Sequence, residues 1–566
     1  MIEFKLENEI DNKINSLNKL TKILSFLRIL LAINAIIWII VGLSYLEFYI
    51  YIALIFSIIT ILFFSFSNKY FDELNLCKKR KEVYLSHKRR RKLELSYFQD
   101  DGRDFLEKDD YKLQDLDIFG PHSLFQYINV SKTKLGKELL ASSLKSLHPF
   151  DERTRITANA FVDEQTLELE ASLLEFKNNT KSINYDEYKS ILNKKIKLSF
   201  LNIIPLIFLI STIIYLIVAL ALDLKIYPLI FGVILTTISA KKFNNNDVFM
   251  LDSFKYYELS TAYLKVSNTI INLNYDDEYF NLLKKEINDN IKPLNNMKKL
   301  YLTLSSRKNI IFNLLLDIID YDFFLILFYN HKIKKLKDIS ILFENVAKIE
   351  VIASFSIIGI DNEIYSIPTT NEFIKGTDLY HPLVKNCVKN DFELKGGVIL
   401  TGSNMSGKTT FMRTIGINQV LFNAGSLVFA ESFSSSYFPI YTSLRANDML
   451  KEGISTFYAE ILRMKKANEG IKLQKSLILI DEIFKGTNAY ERINASFKVI
   501  DKFNQYNALF IISSHDFELC DANNILNYHF NETYQDDLIS FDYKIKEGKS
   551  ETKNALYLLK MANIID

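Results

Sequence analysis

Gly402-Ser403-Asn404-Met405-Ser406-Gly407-Lys408-Thr409 is the stretch that decides the reading of this chain. The octapeptide fits GxxxxGK[ST], a phosphate-binding loop (P-loop) when it joins a strand to a helix. Both flanks are present. The apolar run Val398-Ile399-Leu400 precedes it, and a helix-like stretch, Thr410–Leu421, follows. The glycines let backbone N–H groups curl around phosphates, and the next helix's N-terminus adds a favourable dipole. Gly402, Ser403, Asn404, Met405, Ser406, Gly407, Lys408, Thr409 and Thr410 are therefore the expected contacts for ATP. Lys408 should reach the β- and γ-phosphates, and Thr409 should hold Mg²⁺ through its hydroxyl.

Downstream, Ser476–Ile480 is an apolar run that ends in Asp481 and Glu482. Asp481 is expected beside Thr409 as a Mg²⁺ ligand, and Glu482 as the group that polarises the attacking water. A further run, Ala508–Ser513, leads to Ser514-His515-Asp516, which places His515 as a γ-phosphate sensor or water holder. Short apolar runs alternating with helical patterns argue for an α/β domain with a mostly parallel sheet. Ten of the 17 glycines lie after Lys395, which marks a compositional boundary near residues 345–370. Upstream, Leu282, Leu283 and Ile287, and Ile310, Leu314 and Ile318, recur at helical spacing.

The 566 residues carry 69 Lys+Arg against 67 Asp+Glu, a net charge of +2, which excludes a basic nucleic-acid coat and an acidic disordered tail. With 17 Gly and 8 Pro, breakers are scarce and long helices are expected. Cys77, Cys387 and Cys520 are scattered and form no CxxC pair, so neither a disulfide framework nor a zinc site is implied.

Four apolar runs read as membrane segments in two hairpins. Ile29–Leu46 has 18 residues and Phe48–Phe66 has 19, with Glu47 between them. Leu198–Leu222 has 25, Asp223-Leu224-Lys225 is its turn, and Ile226–Ala240 has only 15. Nine Lys/Arg lie between Lys78 and Lys92, and more flank the second hairpin at Lys194, Lys195, Lys197, Lys241 and Lys242. By the positive-inside rule both termini and the large segments are cytoplasmic. The first cluster is expected to meet anionic lipid headgroups.

The motifs together resemble the MutS family. Thr401–Thr410 (TGSNMSGKTT) is similar to that family's TGPNMGGKST loop. Gly453–Phe457 with Glu460 resembles its signature segment, and Asp481–Asn488 and Ser513–Leu519 resemble its DElgrGT and THxxEL stretches. His381-Pro382 matches the HP before the ATPase, and Asn390 an asparagine near the nucleotide base. Asp115–Gly120, Ser123-Leu124, Thr133, Gly136, Leu139 and Leu140 resemble the start of the family's core or lever region. The resemblance implies a homodimer in which Ser455 acts in trans at the partner's γ-phosphate. It also raises DNA as a partner.

Several departures bear on function. A membrane hairpin stands where mismatch-repair members begin with a mismatch-reading domain, and the second hairpin takes the place of the DNA clamp. Two F-x-E triplets, Phe71-Asp72-Glu73 and Phe105-Leu106-Glu107, are read as ordinary helix residues. The expected architecture is mainly α with a C-terminal α/β P-loop ATPase domain, ABC-type and MutS-like. Its divisions are 1–68 (first hairpin), 69–197 (core or lever), 198–242 (second hairpin), 243–345 (lever) and 346–566 (ATPase). The leading functional reading is a membrane-anchored ATPase with ATP at a dimer interface, acting on DNA. The alternatives are a nucleotide-gated membrane scaffold without DNA and an ABC-like transporter component. Few spans, GISTF in place of an LSGGQ-type signature, and a lack of intramembrane polar residues count against transport.

Overall fold

The computed structural model describes residues 7–44, 47–107, 110–179, 199–222, 224–225, 227–243, 253–306, 316–321, 323–324, 327, 339–403, 405–445, 456–484, 488–535 and 538–550. Helices dominate through Asp361, and strands begin at Thr369.

Helices Glu7–Ser44 and Glu47–Arg91 form the first hairpin. At about 1.5 Å per residue they run about 57 and 68 Å, roughly twice a bilayer's hydrocarbon core. Their apolar halves point Ile29, Ile40, Leu54 and Leu62 outward, each more than half exposed. The helices meet through buried Ala35 and Ala53, and Trp38 stacks on Phe56. Arg28 fastens the hairpin where the apolar part ends, donating to Ser67 Oγ at 2.7 Å and Asn68 Oδ1 at 2.8 Å. Past it the surface turns polar, with Lys13–Glu73 and Lys81–Asp11 ion pairs between the helices.

The second hairpin pairs Ile204–Leu222 with Tyr227–Phe243. Gly232 lets the helices approach closely, since a Cβ there would lie 2.3 Å from Thr212 Oγ1. Among the described residues three helices, not four, are long and apolar enough to cross a membrane. The fourth run falls short on length: its helix, Tyr227–Phe243, has 17 residues, the last turn of which carries Lys241 and Lys242.

The basic cluster is also placed differently from the headgroup expectation. The second helix continues unbroken from Phe66 to Arg91, so Lys78 stands 12 residues, about 18 Å, beyond the apolar run. Several of its cations find partners in the protein, and Lys78, Lys88 and Lys92 stay exposed. Lys79 pairs with Glu82, Arg80 with Glu168, Lys81 with Asp11 and Arg91 with Asp361. Arg89 and Arg90 lie over the rings of Tyr97 and Phe98.

Helix Ile339–Asp361 is the spine of the helical region, and most of its side chains are buried. It runs through the 345/346 division, so the change from helix to sheet comes after Asp361. Packed on it are helices Lys134–Lys145, Thr154–Ala160 and Glu278–Ser306. Leu283 and Ile287 enter the core as their spacing predicts, while Leu282 faces out; Ile310 and Leu314 lie outside the described residues. The Thr133-x-x-Gly136 pair acquires a structural reason. Thr133 caps its helix by accepting from Gly136 N at 2.9 Å, and buried Glu350 accepts from Lys132 N and Thr133 N. A Cβ on Gly136 would collide with that carboxylate.

Of the two F-x-E triplets, Phe71–Glu73 is helical as expected. Phe105 closes a three-residue turn against Phe119 and Phe125, and Glu107 pairs with Lys145, so the second triplet is mostly not helical.

The C-terminal part holds two sheets. One runs β1 (Thr369–Thr370), β5 (Ser432–Ser435), β2 (Ile374–Leu379), β3 (Asn390–Leu394). The other runs β10 (Leu538–Glu547), β9 (Ile525–Gln535), β4 (Gly397–Thr401), β8 (Leu509–Ser513), β7 (Leu477–Asp481), β6 (Ile440–Ser443). It is parallel except for the β9–β10 hairpin, in line with the apolar runs. One continuous core joins the sheets to the helical region, with Tyr127 edge-on to Phe429 and Leu116 against Gly416.

His87, near the end of the first hairpin, is fully buried outside the apolar segment. Its Nδ1 lies 2.9 Å from Asp361 Oδ2 and its Nε2 3.1 Å from Glu170 Oε1. Burial lowers its pKa, but the two carboxylates outweigh burial and carry it from 6.5 up to about 9. The raised value means its contribution is full below pH 6.5 and lost as pH rises through about 9. Thermal melts from pH 6 to 10 should show stability declining across that window. His87→Gln should flatten the decline; an unchanged slope would refute the assignment.

Candidate functional site

The site grows from the C-terminal ends of β4, β7 and β8. β4 is buried along its whole length, and the chain leaves it through Gly402 at φ 139°, a conformation that favours glycine. A Cβ on Gly402 would sit 2.8 Å from Phe530 O of β9. Gly407, at φ 105°, then caps helix Lys408–Ala424. The turn between them is held from within. Ser406 Oγ donates to Ser403 O at 2.9 Å, and buried Lys408 Nζ donates to Gly402 O at 2.7 Å and Ser403 O at 2.6 Å. Ser403 Oγ also hydrogen-bonds to buried Glu532 of β9.

β7 delivers the acids. Thr409 Oγ1 donates to Asp481 Oδ2 at 2.7 Å, and Ser513, the last residue of β8, donates to Asp481 Oδ1. Glu482 follows at φ 55°, its N–H bound to Ser513 O at 3.1 Å. His515 Nε2 approaches Glu482 Oε1 to 3.1 Å. Beside it, Asp516 accepts two hydrogen bonds from Arg492 of helix Ala489–Gln505, which steadies the turn carrying His515.

The turn, Lys408, Thr409 and the two acids border a cavity of about 510 Å³, while Ser513 and His515 sit against the acids and off its wall; its size is within the range of small-ligand sites. Its walls include Ser403, Met405, Gly407, Lys408, Thr409, Thr410, Asp481 and Glu482. Thr409 and Asp481 present the hard oxygen donors that Mg²⁺ prefers, so the residues present fit that ion. Ser406 is buried beneath the turn rather than on the wall, and Gly402 is its hinge. Asn404 and Ser455 lie outside the described residues.

Asn390 lines the same cavity, but its carboxamide is engaged by backbone. It donates to Tyr543 O at 3.0 Å and accepts from Ile545 N at 2.9 Å, across the bulge in β10. That bulge sets Tyr543, at φ 53°, on the cavity wall facing Gly407. Tyr543, Ser513 and Glu532 are the site residues that sequence reasoning did not assign. Ser513 sat inside a recognised motif, whereas Tyr543 and Glu532 lie on the β9–β10 hairpin, which carries no motif. His381 packs beneath the site, where burial, with help from the charge of Arg413, lowers its pKa to about 4 and keeps it neutral.

Residues 398–566 match the profile of MutS domain V. Over this domain the chain is MutS-like. It is 31% identical over 189 residues to a DNA mismatch repair protein MutS of Leptospira interrogans, covering 32% of this chain and 22% of that protein. Against the MutS of Halalkalibacterium halodurans it is 26% identical over 281 residues, 46% of this chain and 32% of that protein. Against MutS protein homolog 4 of Mus musculus it is 33% identical over 206 residues, 32% of this chain and 21% of that protein. The chain thus spans about a fifth to a third of the length of these curated relatives. The MutS domain V match begins inside β4 and covers the turn, the acids and the β9–β10 hairpin.

Gly402→Ala should strain the turn at both φ and the Phe530 carbonyl and cost about 1–3 kcal/mol. Denaturant unfolding of the detergent-solubilised chain measures this; a loss below about 0.5 kcal/mol would mean the turn relaxes freely.

Proposed function

We propose that this chain is a membrane-anchored MutS-like ATPase that uses ATP as a switch between two copies of itself. The observation that carries the reading is that Lys408, Thr409, Asp481 and Glu482 line one cavity at neighbouring strand ends, with Ser513 against Asp481 and His515 against Glu482. The MutS domain V match supports the same assignment.

The residue roles follow from position. The Gly402–Gly407 turn and the first N–H groups of the next helix cradle the phosphates. Lys408 exchanges its carbonyl partners for phosphate oxygens. Thr409 and Asp481 hold Mg²⁺, which when bound neutralises charge on the phosphates. Glu482 orients the attacking water, and His515 steadies the Glu482 carboxylate from its far side. Tyr543 offers a flat ring for the base, and Asn390 positions that ring. Ser455 reaches the γ-phosphate held by the second copy, so ATP joins the two domains and hydrolysis releases them.

Anchoring rests on the exposed apolar faces of the two hairpins, with both hairpin bases and the ATPase domain cytoplasmic. The MutS domain V match weighs against the transporter reading. A nucleotide-gated scaffold shares the same ATP chemistry, and the relatives' names favour adding duplex DNA as a partner. Salt-dependent retention of mismatched duplex by the purified chain would separate these two.

Glu482→Gln in lipid nanodiscs should lower ATP turnover by orders of magnitude while retaining nucleotide and stabilising a dimer. Lys408→Ala should weaken nucleotide binding itself. Wild-type turnover in Glu482→Gln would overturn the role of that residue, and unchanged binding in Lys408→Ala would overturn the site.

A further inference from the structure

A second cavity, of about 330 Å³, lies at the foot of the first hairpin and shares no residue with the cavity at the phosphate turn. Helix Glu47–Arg91, residues 97–100, residues 129–132 and helix Gln165–Asn179 meet around it. Arg90 is on its wall and only 2% exposed. The guanidinium lies over Phe98, 4.7 Å from the ring centre. Its two hydrogen bonds are long: one to Ser86 Oγ at 3.4 Å, the other to Asn129 O at 3.5 Å. Its Nε meets no acceptor. The acids on the same wall pair elsewhere, Glu82 with Lys79, Asp100 with Lys137 and Glu170 with His87. Among the described residues, Arg90 therefore keeps a buried charge with no carboxylate bound to it.

A buried guanidinium is costly unless an anion neutralises it. Water can accept its N–H bonds but leaves the charge uncompensated. A second donor stands beside it. Asn129, 5% exposed, is on the same wall. Its Oδ1 is fixed by Ser131 N, which donates to it at 2.9 Å, so the other end of the carboxamide is the NH₂ group. That group donates to no described residue. A forked cation next to amide donors suits a phosphate, and Lys132 adds a further cation to the wall. The volume is at the small end of ligand sites. Arg90 lies 24 residues past Phe66, about 36 Å along the helix, so headgroups in a bilayer do not reach it. Residues 129–132 are in turn tied to the spine helix: Val130 N donates to Ser354 Oγ at 3.2 Å and Lys132 N to Glu350 Oε1 at 2.8 Å. An anion between Arg90 and Asn129 therefore joins the long hairpin helix to the spine.

We propose that this cavity binds a small soluble phosphate-bearing anion, inorganic phosphate or a phosphomonoester, through Arg90 and Asn129, and that the bound anion stiffens the joint between the first hairpin and the helical core. The site is separate from the ATP cavity and does not depend on the ATPase reading.

The test uses the full chain in nanodiscs of zwitterionic lipid, in a Lys408→Ala background that weakens phosphate binding at the phosphate turn. Inorganic phosphate is titrated against chloride at matched ionic strength, with calorimetry for binding and thermal melting for stability. Phosphate should bind and raise the melting temperature. Arg90→Met should weaken that binding about tenfold or more. Without phosphate it should melt no lower than its parent, because an uncompensated buried charge is gone. Asn129→Asp keeps the acceptor for Ser131 N and puts a carboxylate beside Arg90. It should raise the phosphate-free melting temperature and abolish the phosphate response. Glycerol phosphate binding more tightly than phosphate assigns an ester; weaker binding assigns the free ion. No response to either anion would overturn the site. So would a melting rise that chloride matches, or phosphate binding unchanged in Arg90→Met. If Arg90→Met fails to fold, Asn129→Asp decides alone, and an undiminished phosphate response there overturns the proposal.

Discussion

The burial of Leu116 against Gly416 is the contact on which the rest of the architecture depends. It seats the helical region on the helix that follows the phosphate turn, and the flanking carboxylates lock that seat to β6 and to helix Thr456–Ile471. A fully buried leucine is worth about 1.5–3 kcal/mol of removed apolar surface, and here it lies inside a core that runs unbroken between the two regions. Helices and sheet are therefore not beads on a linker. The cavity at the strand ends and the helical region are thus joined by close-packed side chains that have few alternative arrangements.

The same logic extends toward the hairpins. Glu47–Arg91 is one helix that starts in an apolar face and ends against Asp361, the last residue of the spine helix. His87 and Arg91 bring positive charge to buried Asp361 and Glu170, and such buried charges persist only when paired. A rigid rod thus connects the apolar hairpin to the helical core. Arg80, Lys81 and Arg91 of the basic cluster fasten this rod to acids on other helices.

Legibility varied with the range of the interaction. That the Gly402–Gly407 turn, Asp481, Glu482 and His515 follow strand ends was readable, because the strands that carry them are short apolar runs. Tyr543 was not readable: it reaches the cavity through a bulge in β10 pinned by Asn390, 153 residues away in the chain. Asn390 looked like a base contact, yet its carboxamide serves the backbone that carries the ring. The Lys78–Lys92 cluster misled for a related reason, since charge density along a chain does not reveal which acids lie across the fold.

Local patterns in the sequence determined the element types. Short continuous apolar runs specified β4, β7 and β8, long uncharged runs specified the hairpin helices, and glycines at Gly402 and Gly407 specified the turn. These follow from backbone sterics and from the cost of exposing apolar surface, both of which act over a few residues. Tertiary structure alone decided which carboxylate meets which cation, and that Asp117 bridges Arg413 and Arg445. Partners hundreds of positions apart are set by how helices and sheet share one core, and close packing rather than local propensity selects that arrangement.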